Sequence, residues 1–229
     1  MNNLAIIPAR GGSKRIPKKN IKDFLGKPII AYSIHAAIQS QLFSEVMVST
    51  DDEEIAEVAE KYGASVPFLR SEKNADDFAT TADVLLEVID NYERTNKVFY
   101  NCCCIYPTAP FVKFDLLCRS YEEFRDKHFT TFFAAVKFGY PIQRALILKG
   151  NKIKLFFEEH ESSRSQDLLT TYHDAGQFYW FNVDKFKKEK SLFTKNSGVL
   201  VLNENQVQDI DDATDWLLAE LKYKMFYGS

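Results

Sequence analysis

A short apolar run, LAIIP at residues 4–8, stops at proline and passes at once into a stretch that is both glycine-bearing and basic, ARGGSKRIPKKN. An unbroken apolar run of this length, bounded by Pro and Gly, reads as a strand buried on both faces, as in a parallel sheet. Residues 45–50, 98–105 and 131–136 predict further strands of the same kind. Between them, helical spacing predicts helices over 28–39, 52–62, 80–93 and 114–126. Asp51 or Asp52 can cap the second helix, and Gly63 stops it. The alternation predicts an α/β fold with a doubly wound, mostly parallel sheet.

The pattern changes after Val136. Residues 140–155 read as hairpin material around Gly150-Asn151, 156–171 are polar and irregular, and YHDAGQFYWF (172–181) is aromatic-rich. This stretch is expected to leave the main sheet and return to it, with Phe178 and Trp180 in the core or at a subunit interface. A last helix is predicted over 211–226, with apolar positions Trp216, Leu217, Leu221 and Met225. The 229 residues are expected to form a single domain, with 139–172 as an arm on it. Cys102, Cys103 and Cys104 are consecutive, so on a strand they alternate between faces and cannot share one ion. They read as small buried hydrophobes in a reducing compartment. No apolar run approaches the ~18 residues of a membrane span, and the first residues lack the form of a signal peptide. A cytoplasmic protein without a membrane partner is expected.

Charge is where function first becomes legible. Net charge is −3, from 29 Lys and Arg against 32 Asp and Glu. Six of those cations (Arg10, Lys14, Arg15, Lys18, Lys19, Lys22) fall in one loop without an acid, and setting them aside leaves 23 against 32. So local a patch suits a small polyanion rather than a nucleic acid, which wants a broad basic face. The loop matches neither G-x-G-x-x-G nor G-x-x-x-x-G-K-S/T. Gly11 and Gly12 would still let backbone N–H groups converge on a phosphate. Arg10 offers a planar fork, and the lysines add point charges. At the carboxyl end of a first strand, the expected ligand is a triphosphate. Near the other terminus, Asp209 and Asp211 at i and i+2 of an extended segment can reach one Mg2+. The same acids also suit a helix N-terminus, with Asp211 or Asp212 as its cap.

The stretch IIPARGGSKRIPKKN resembles the signature of the sugar-activating cytidylyltransferases, the group that includes the CMP-sialic acid and CMP-Kdo synthetases. Arg10, Ser13, Lys14, Pro17, Lys19 and Asn20 fit its R-x-x-S-K-x-x-P-x-K-N. STDDEEIAEVAEKYGA (49–64) is similar to the family's S-T-D-D-x-x-I-A-x-x-A-x-x-x-G-A segment, YPTAPF to its Q-P-T-S-P-L turn, and QDIDDATDW to its D-I-D-T-x-x-D metal segment. Two departures fall near the family's sugar: Ala175-Gly176-Gln177 stands for Asn-Gly-Ala, and Tyr106 for Gln. SRSQDL and YHDAGQFYWF together look like the pseudaminic acid branch.

The resemblance implies a Rossmann-like nucleotidyltransferase fold and transfer of CMP from CTP to the anomeric hydroxyl of a nonulosonic acid, with loss of pyrophosphate. The sugar would be pseudaminic acid, or N-acetylneuraminic acid, legionaminic acid or Kdo. A catalytically silent nucleotide-binding scaffold is the competing reading. Arg10, Lys14 and Lys19 would hold the phosphates with Ala9, Gly11, Gly12 and Ser13. Asn20, Arg70, Asp77 and Thr81 would contact the nucleoside, and Asp209 and Asp211 would hold Mg2+, leaving Asp212 as the cap. Tyr106, Arg164, His173, Asp174, Gln177 and Tyr179 are the sugar-side candidates. Related enzymes are dimers in which such an arm closes the partner's sugar pocket, so a homodimer is expected, with Phe156, Phe157, Leu168 and Leu169 supplying its contacts.

Overall fold

The first apolar run forms strand β1 (Asn3–Pro8), buried at every position but its final proline. The computed structural model describes residues 2–76 and 78–228. After the basic loop come a 3-10 turn (Lys19–Ile21) and a small hairpin, β2 (Asp23–Phe24) with β3 (Lys27–Pro28). The chain then runs through α1 (Ile30–Ser40), β4 (Glu45–Ser49), α2 (Glu53–Lys61), α3 (Glu72–Ala75), α4 (Thr81–Arg94), β5 (Asn101–Ile105), α5 (Phe114–Asp126) and β6 (Thr131–Lys137). Next come β7 (Leu146–Lys149), β8 (Lys152–Leu155), β9 (Tyr172–Asn182), α6 (Val183–Glu189), β10 (Ser197–Leu202) and α7 (Ala213–Tyr227). Local chemistry starts the helices. Asp52 caps α2 by accepting from Ile55 N at 3.1 Å, and Thr80 and Asp83 form a reciprocal capping box on α4.

Six strands make the central sheet in the order β10-β6-β9-β5-β1-β4. Every pairing is parallel except those of β9, which runs antiparallel to both β5 and β6. The sheet is thus mostly parallel with helices on both faces, as expected. Alternation along the strands divides the core. Ala5, Ile7, Cys103, Phe178 and Trp180 pack with residues of α1, α2 and α5 on one face. Leu4, Ile6, Cys102, Cys104, Tyr179 and Phe181 pack with α4 and α6 on the other. The three cysteines behave as buried hydrophobes, and burial pushes each thiol up.

Three expectations need correction. The strand predicted from residue 98 begins at Asn101, because Val98 and Tyr100 face solvent. The helix after β9 and the edge strand β10 have no counterpart in the sequence reading. The last helix buries Trp216 and Ala219, while Leu217, Leu221 and Met225 are exposed. Its packing is governed by an aromatic cluster in which Phe24 lies 5.4 Å from Tyr32 and 5.6 Å from Trp216, edge to face. That cluster docks the C-terminal helix against the hairpin trailing the basic loop.

The topology gathers the loops. All five parallel strands end on one edge of the sheet, which puts the segments 9–20, 50–52, 106–111, 138–171 and 203–212 together there. Because β9 runs the other way, its first residues lie at the same edge. This is where open α/β sheets bind ligands. The segment between β6 and β9 carries the isolated β7–β8 hairpin, in register from Leu146↔Leu155 to Lys149↔Lys152.

Candidate active site

The basic loop is held by its own backbone and by the turn after β4. Ala9 is buried and donates to Ser49 O at 2.9 Å. Gly11 N donates to Asp51 Oδ1 at 3.0 Å, and Ser13 N donates to Gly11 O at 2.8 Å. The Gly11 and Ser13 N–H groups are thus engaged within the loop and its neighbouring turn. Gly11 is required by close approach: a Cβ there would lie 2.6 Å from Asp52 Oδ2. Gly12 borders open space. Asn20, 5% exposed, donates from Nδ2 to Arg10 O at 2.9 Å and ties the two ends of the loop. Lys18, in the left-handed region, pairs with Glu54 of α2.

Two clefts meet at Pro8 and Arg10. The larger, of about 440 Å3, is lined by Arg10, Ser13, Lys14, Lys19, Asn20 and Asp211, among others. The smaller, of about 230 Å3, is lined by Arg70, Asn74, Asp76, Thr81 and Tyr106 beside the shared pair. The first is cationic and suits a polyphosphate. The second mixes Arg10, Arg70 and Asp76 with apolar and hydroxyl side chains, and suits a nucleoside or the acceptor. Arg70 is buried and donates from Nε to Ser49 Oγ at 3.1 Å and from Nη2 to Ser49 O. Burial pulls its guanidinium down, with Asp51 and Glu87 acting the other way. Thr81 Oγ1 lies 3.2 Å from the Tyr106 hydroxyl, and Arg10 Nη1 donates to Asp76 O at 3.2 Å. Asp77 lies outside the described residues.

The acidic segment before α7 faces the basic loop. Lys19 Nζ donates to Ile210 O at 2.7 Å, and Arg15 Nη2 to Asp211 Oδ1 at 2.7 Å. Asp212 caps α7 by accepting from Thr214 N and Asp215 N. Asp215 in turn accepts from Asp211 N at 2.9 Å and Asp212 N at 3.0 Å. Those two acids are committed to starting the helix, which leaves the carboxylates of Asp209 and Asp211. Asp209 is raised by burial of its carboxyl and then by Asp211, with Lys19 opposing. Much of the Asp209 side chain still meets solvent, so screening keeps the energy behind that shift small. Lys19 is lowered by burial, against the pull of Asp211 and Asp209.

Two neighbouring carboxylates, of which Asp209 is raised by burial and by the charge of Asp211, offer oxygen donors only and fit a hard divalent cation. Among the described residues no group of three His, Cys, Asp or Glu is placed to hold a metal. Asp209 and Asp211 are the carboxylates that could hold such an ion, with phosphate and water completing its shell.

The sugar-side candidates divide. Tyr106 lines the smaller cleft. Asp174, half-buried at the start of β9, accepts from the Tyr179 hydroxyl and from Gly176 N at 3.0 Å. Tyr179 and Gln177 are each only 2% exposed, so they act from behind the surface rather than on it. Gln177 Nε2 donates to Gln206 O at 2.8 Å, and its Oε1 has no partner. His173 is exposed, with Nδ1 2.8 Å from Asp174 O. Arg164 lines neither cleft: it sits in the excursion, forked onto Asp167 at 2.8 and 3.2 Å. Sequence reasoning missed Arg15, Asp51, Asn74 and Thr108. Arg15 was visible as one of six clustered cations, Thr108 lay inside the recognised turn and Asp51 inside the recognised segment 49–64; Asn74 carried no signal.

The fold and site define a nucleotidyltransferase, and the chain belongs to the cytidylyltransferase family: the family model described as Cytidylyltransferase matches residues 4–210. The chain is 48% identical to a pseudaminic acid cytidylyltransferase of Campylobacter jejuni, over 100% of this chain and 99% of that protein. It is 34% identical to a CMP-N,N'-diacetyllegionaminic acid synthase of Legionella pneumophila, over 96% and 95% of the two chains. A solved structure of CMP:2-keto-3-deoxy-manno-octonic acid synthetase complexed with CTP shares the fold, with a TM-score of 0.71 at 16% identity over 98% of each chain.

Proposed function

We propose that this chain transfers CMP from CTP to the anomeric hydroxyl of pseudaminic acid, releasing pyrophosphate, and that the product serves glycosylation of surface glycans or flagellin. The observation that carries this reading is the pairing of a cationic cleft at the end of β1 with the carboxylates of Asp209 and Asp211, in a chain resembling a pseudaminic acid enzyme over its whole length.

In the reaction the anomeric oxygen attacks the α-phosphorus. A new O–P bond forms as the bond from the α-phosphorus to the bridging oxygen breaks, the electron pair leaves with pyrophosphate, and the hydroxyl proton is released to water. The barrier is electrostatic, because an anionic sugar acid must approach a polyanionic triphosphate. Arg10, Lys14 and Lys19 bind the phosphates and offset that charge, while Ser13 and the backbone from Ala9 to Gly12 shape the cleft around them. Lys19, partly buried, acts in lower dielectric than the exposed lysines and is worth more per charge. Arg70 and Thr81 bound the nucleoside side, Asn20 would reach the nucleoside from the larger cleft, and Tyr106, His173 and Asp174 would orient the acceptor. Asp209 and Asp211 would hold Mg2+, which would supply charge neutralisation for the phosphates and acidify the attacking hydroxyl.

The excursion between β6 and β9 is proposed as a dimerisation arm. A lone two-stranded hairpin is marginal in water, yet this one displays Leu146, Leu148 and Ile153 to solvent, and the segment after it displays Phe156 and Leu169. A second copy would cover them, and light scattering at the mass of two chains is the expected result. No helix among the described residues is long and apolar enough to cross a membrane, and the enzyme is proposed to work in the cytoplasm.

Pyrophosphate release tests the reading. Purified protein is given CTP and Mg2+ with pseudaminic, legionaminic or N-acetylneuraminic acid or Kdo in turn. The highest kcat/KM is expected with pseudaminic acid. Preference for N-acetylneuraminic acid overturns the choice of sugar, and no release with any of the four leaves the scaffold reading in its place.

A further inference from the structure

The wall of the smaller cleft is thin. Residues 71–76 pass between that cleft and an open groove of about 870 Å3 on the far side, which is lined by Leu69, Ser71, Lys73, Asn74, Glu87 and Arg94, among others. Asn74 borders both cavities. Within the wall, α3 is a single turn of four residues with none buried, and its N-cap Ser71 makes no capping bond with its side chain. A turn this short has no hydrophobic anchor and little intrinsic stability.

One carboxylate holds the helical turn of the wall, while Arg10 Nη1, donating to Asp76 O at 3.2 Å, holds the wall's far end. Glu87, in the second turn of α4, accepts from Ser71 N at 2.8 Å through Oε1. Its Oε2 accepts from Ser71 Oγ at 2.9 Å and from Asn74 Nδ2. Among the described residues, these are the side-chain hydrogen bonds that join residues 71–75 to the rest of the fold. Burial pushes the Glu87 carboxyl up, but the bonds from Ser71 and Asn74, with Arg70 nearby, outweigh it and hold the group below its ordinary value. It is therefore ionised throughout the neutral range, as a strong acceptor must be.

We propose that Glu87 is a positioning residue for the nucleotide: it pins the wall 71–76 against α4, and so keeps Asn74 and Asp76 on the smaller cleft beside the buried Arg70. The inference rests on the cytidylyltransferase reading above, and goes beyond it in naming a residue that touches no substrate. Without the pin, the wall is in place only part of the time, and apparent affinity falls by that fraction. The effect falls chiefly on CTP, because Asn74 and Asp76 stand beside the buried Arg70, with a smaller effect on the acceptor side that meets this cleft at Tyr106.

The test compares wild type with Glu87→Gln and Glu87→Ala. CTP affinity is read by calorimetry, KM and kcat by pyrophosphate release, and wall mobility by the rate of trypsin cleavage after Lys73, mapped by mass spectrometry. Glu87 is only half-buried at the surface, so both variants are expected to fold. In Glu87→Ala the dissociation constant and KM for CTP are expected to rise about tenfold, with kcat and the acceptor KM changed less than about twofold. Cleavage after Lys73 should accelerate in parallel. Glu87→Gln, which keeps one acceptor oxygen, should fall between. CTP affinity within about twofold of wild type in Glu87→Ala overturns the proposal, as does weakened CTP binding with unchanged cleavage. If wild type itself binds no CTP, the functional reading fails first and the assignment of the wall to a nucleotide falls with it.

Discussion

The ammonium of Lys19 donates to the carbonyl of Ile210 at 2.7 Å, across 191 residues of sequence. This bond joins the loop after the first strand to the segment before the last helix, and sets a cation in the phosphate cleft that Asp211 also lines. The neighbouring Arg15–Asp211 contact repeats the link at 2.7 Å. Cation and anion sides of the site are therefore one assembly, held by the aromatic packing of Phe24 and Trp216 behind them.

Lys19→Met should lower kcat/KM for CTP by about a hundredfold or more, since it removes a partly buried charge aimed at developing phosphate charge. The Ile210 carbonyl loses its donor, so urea unfolding should show a loss of about 1–2 kcal/mol. Burial lowers the Lys19 pKa from 10.5. The protonated form is the one penalised in the fold, so the unfolded chain binds more protons. Stability therefore rises with pH between the lowered value and 10.5. The basic limb of the pH–rate profile should lie below that of a free lysine, and should vanish in Lys19→Met.

Asp209→Asn tests the metal pair. The Asp209 carboxyl is raised above 3.8 by burial and then by Asp211. A raised acid binds its proton more tightly when folded, so its contribution to stability is full below 3.8 and is lost as pH rises through the raised value. At neutral pH without divalent ions, Asp209→Asn should melt slightly above wild type, the gain kept small by solvent exposure. Mg2+ with CTP should raise the melting temperature of wild type and not of the variant. Turnover should fall at least about a hundredfold. A variant that Mg2+ and CTP stabilise as fully as wild type would show that Asp209 is no ligand.

The two adjacent glycines should respond differently. A methyl at Gly11 meets Asp52 Oδ2 at 2.6 Å and Asp52 Cβ at 2.9 Å, and Asp52 caps α2. Gly11→Ala must displace that cap, at a cost of about 1–3 kcal/mol by urea titration. Gly12→Ala, with nothing within 4 Å, should stay within about 0.5 kcal/mol. Equal losses would mean that the loop needs glycine for backbone conformation, and not for the approach of Asp52.

Much of this was legible in advance, and the limits have physical causes. The strand–loop–helix beginnings and the basic motif are local, so strand periodicity, caps and clustered charge exposed them. Strand β10 was not, because a glycine interrupts SGVLVL. Gly198 is there for packing: a Cβ would lie 2.4 Å from the Phe129 ring. The exposed face of α7 was misjudged because the aromatic cluster on Phe24, distant in sequence, decides which side is buried. The same holds for the site. Arg10, Lys14 and Lys19 announced themselves, whereas the grip of Glu87 on Ser71, 16 residues apart and on another element, left no pattern to read.

Tyr179→Phe separates the sugar side from the nucleotide side. The Tyr179 hydroxyl donates to Asp174, and its ring lies 5.5 Å from that of Tyr106, whose hydroxyl reaches Thr81. Burial, followed by the charge of its neighbours, pushes the phenol so far up that it stays a donor at any working pH. Removing the hydroxyl leaves the Asp174 carboxylate with Gly176 N at 3.0 Å and frees it to turn. Stability should drop by about 1 kcal/mol. If Asp174 orients the acceptor, the sugar KM should rise about tenfold while the CTP KM changes little, and lengthening the side chain in Asp174→Glu should reproduce the pattern. A rise confined to CTP would assign the Tyr106–Tyr179–Asp174 group to the nucleotide instead, through its contact with Thr81.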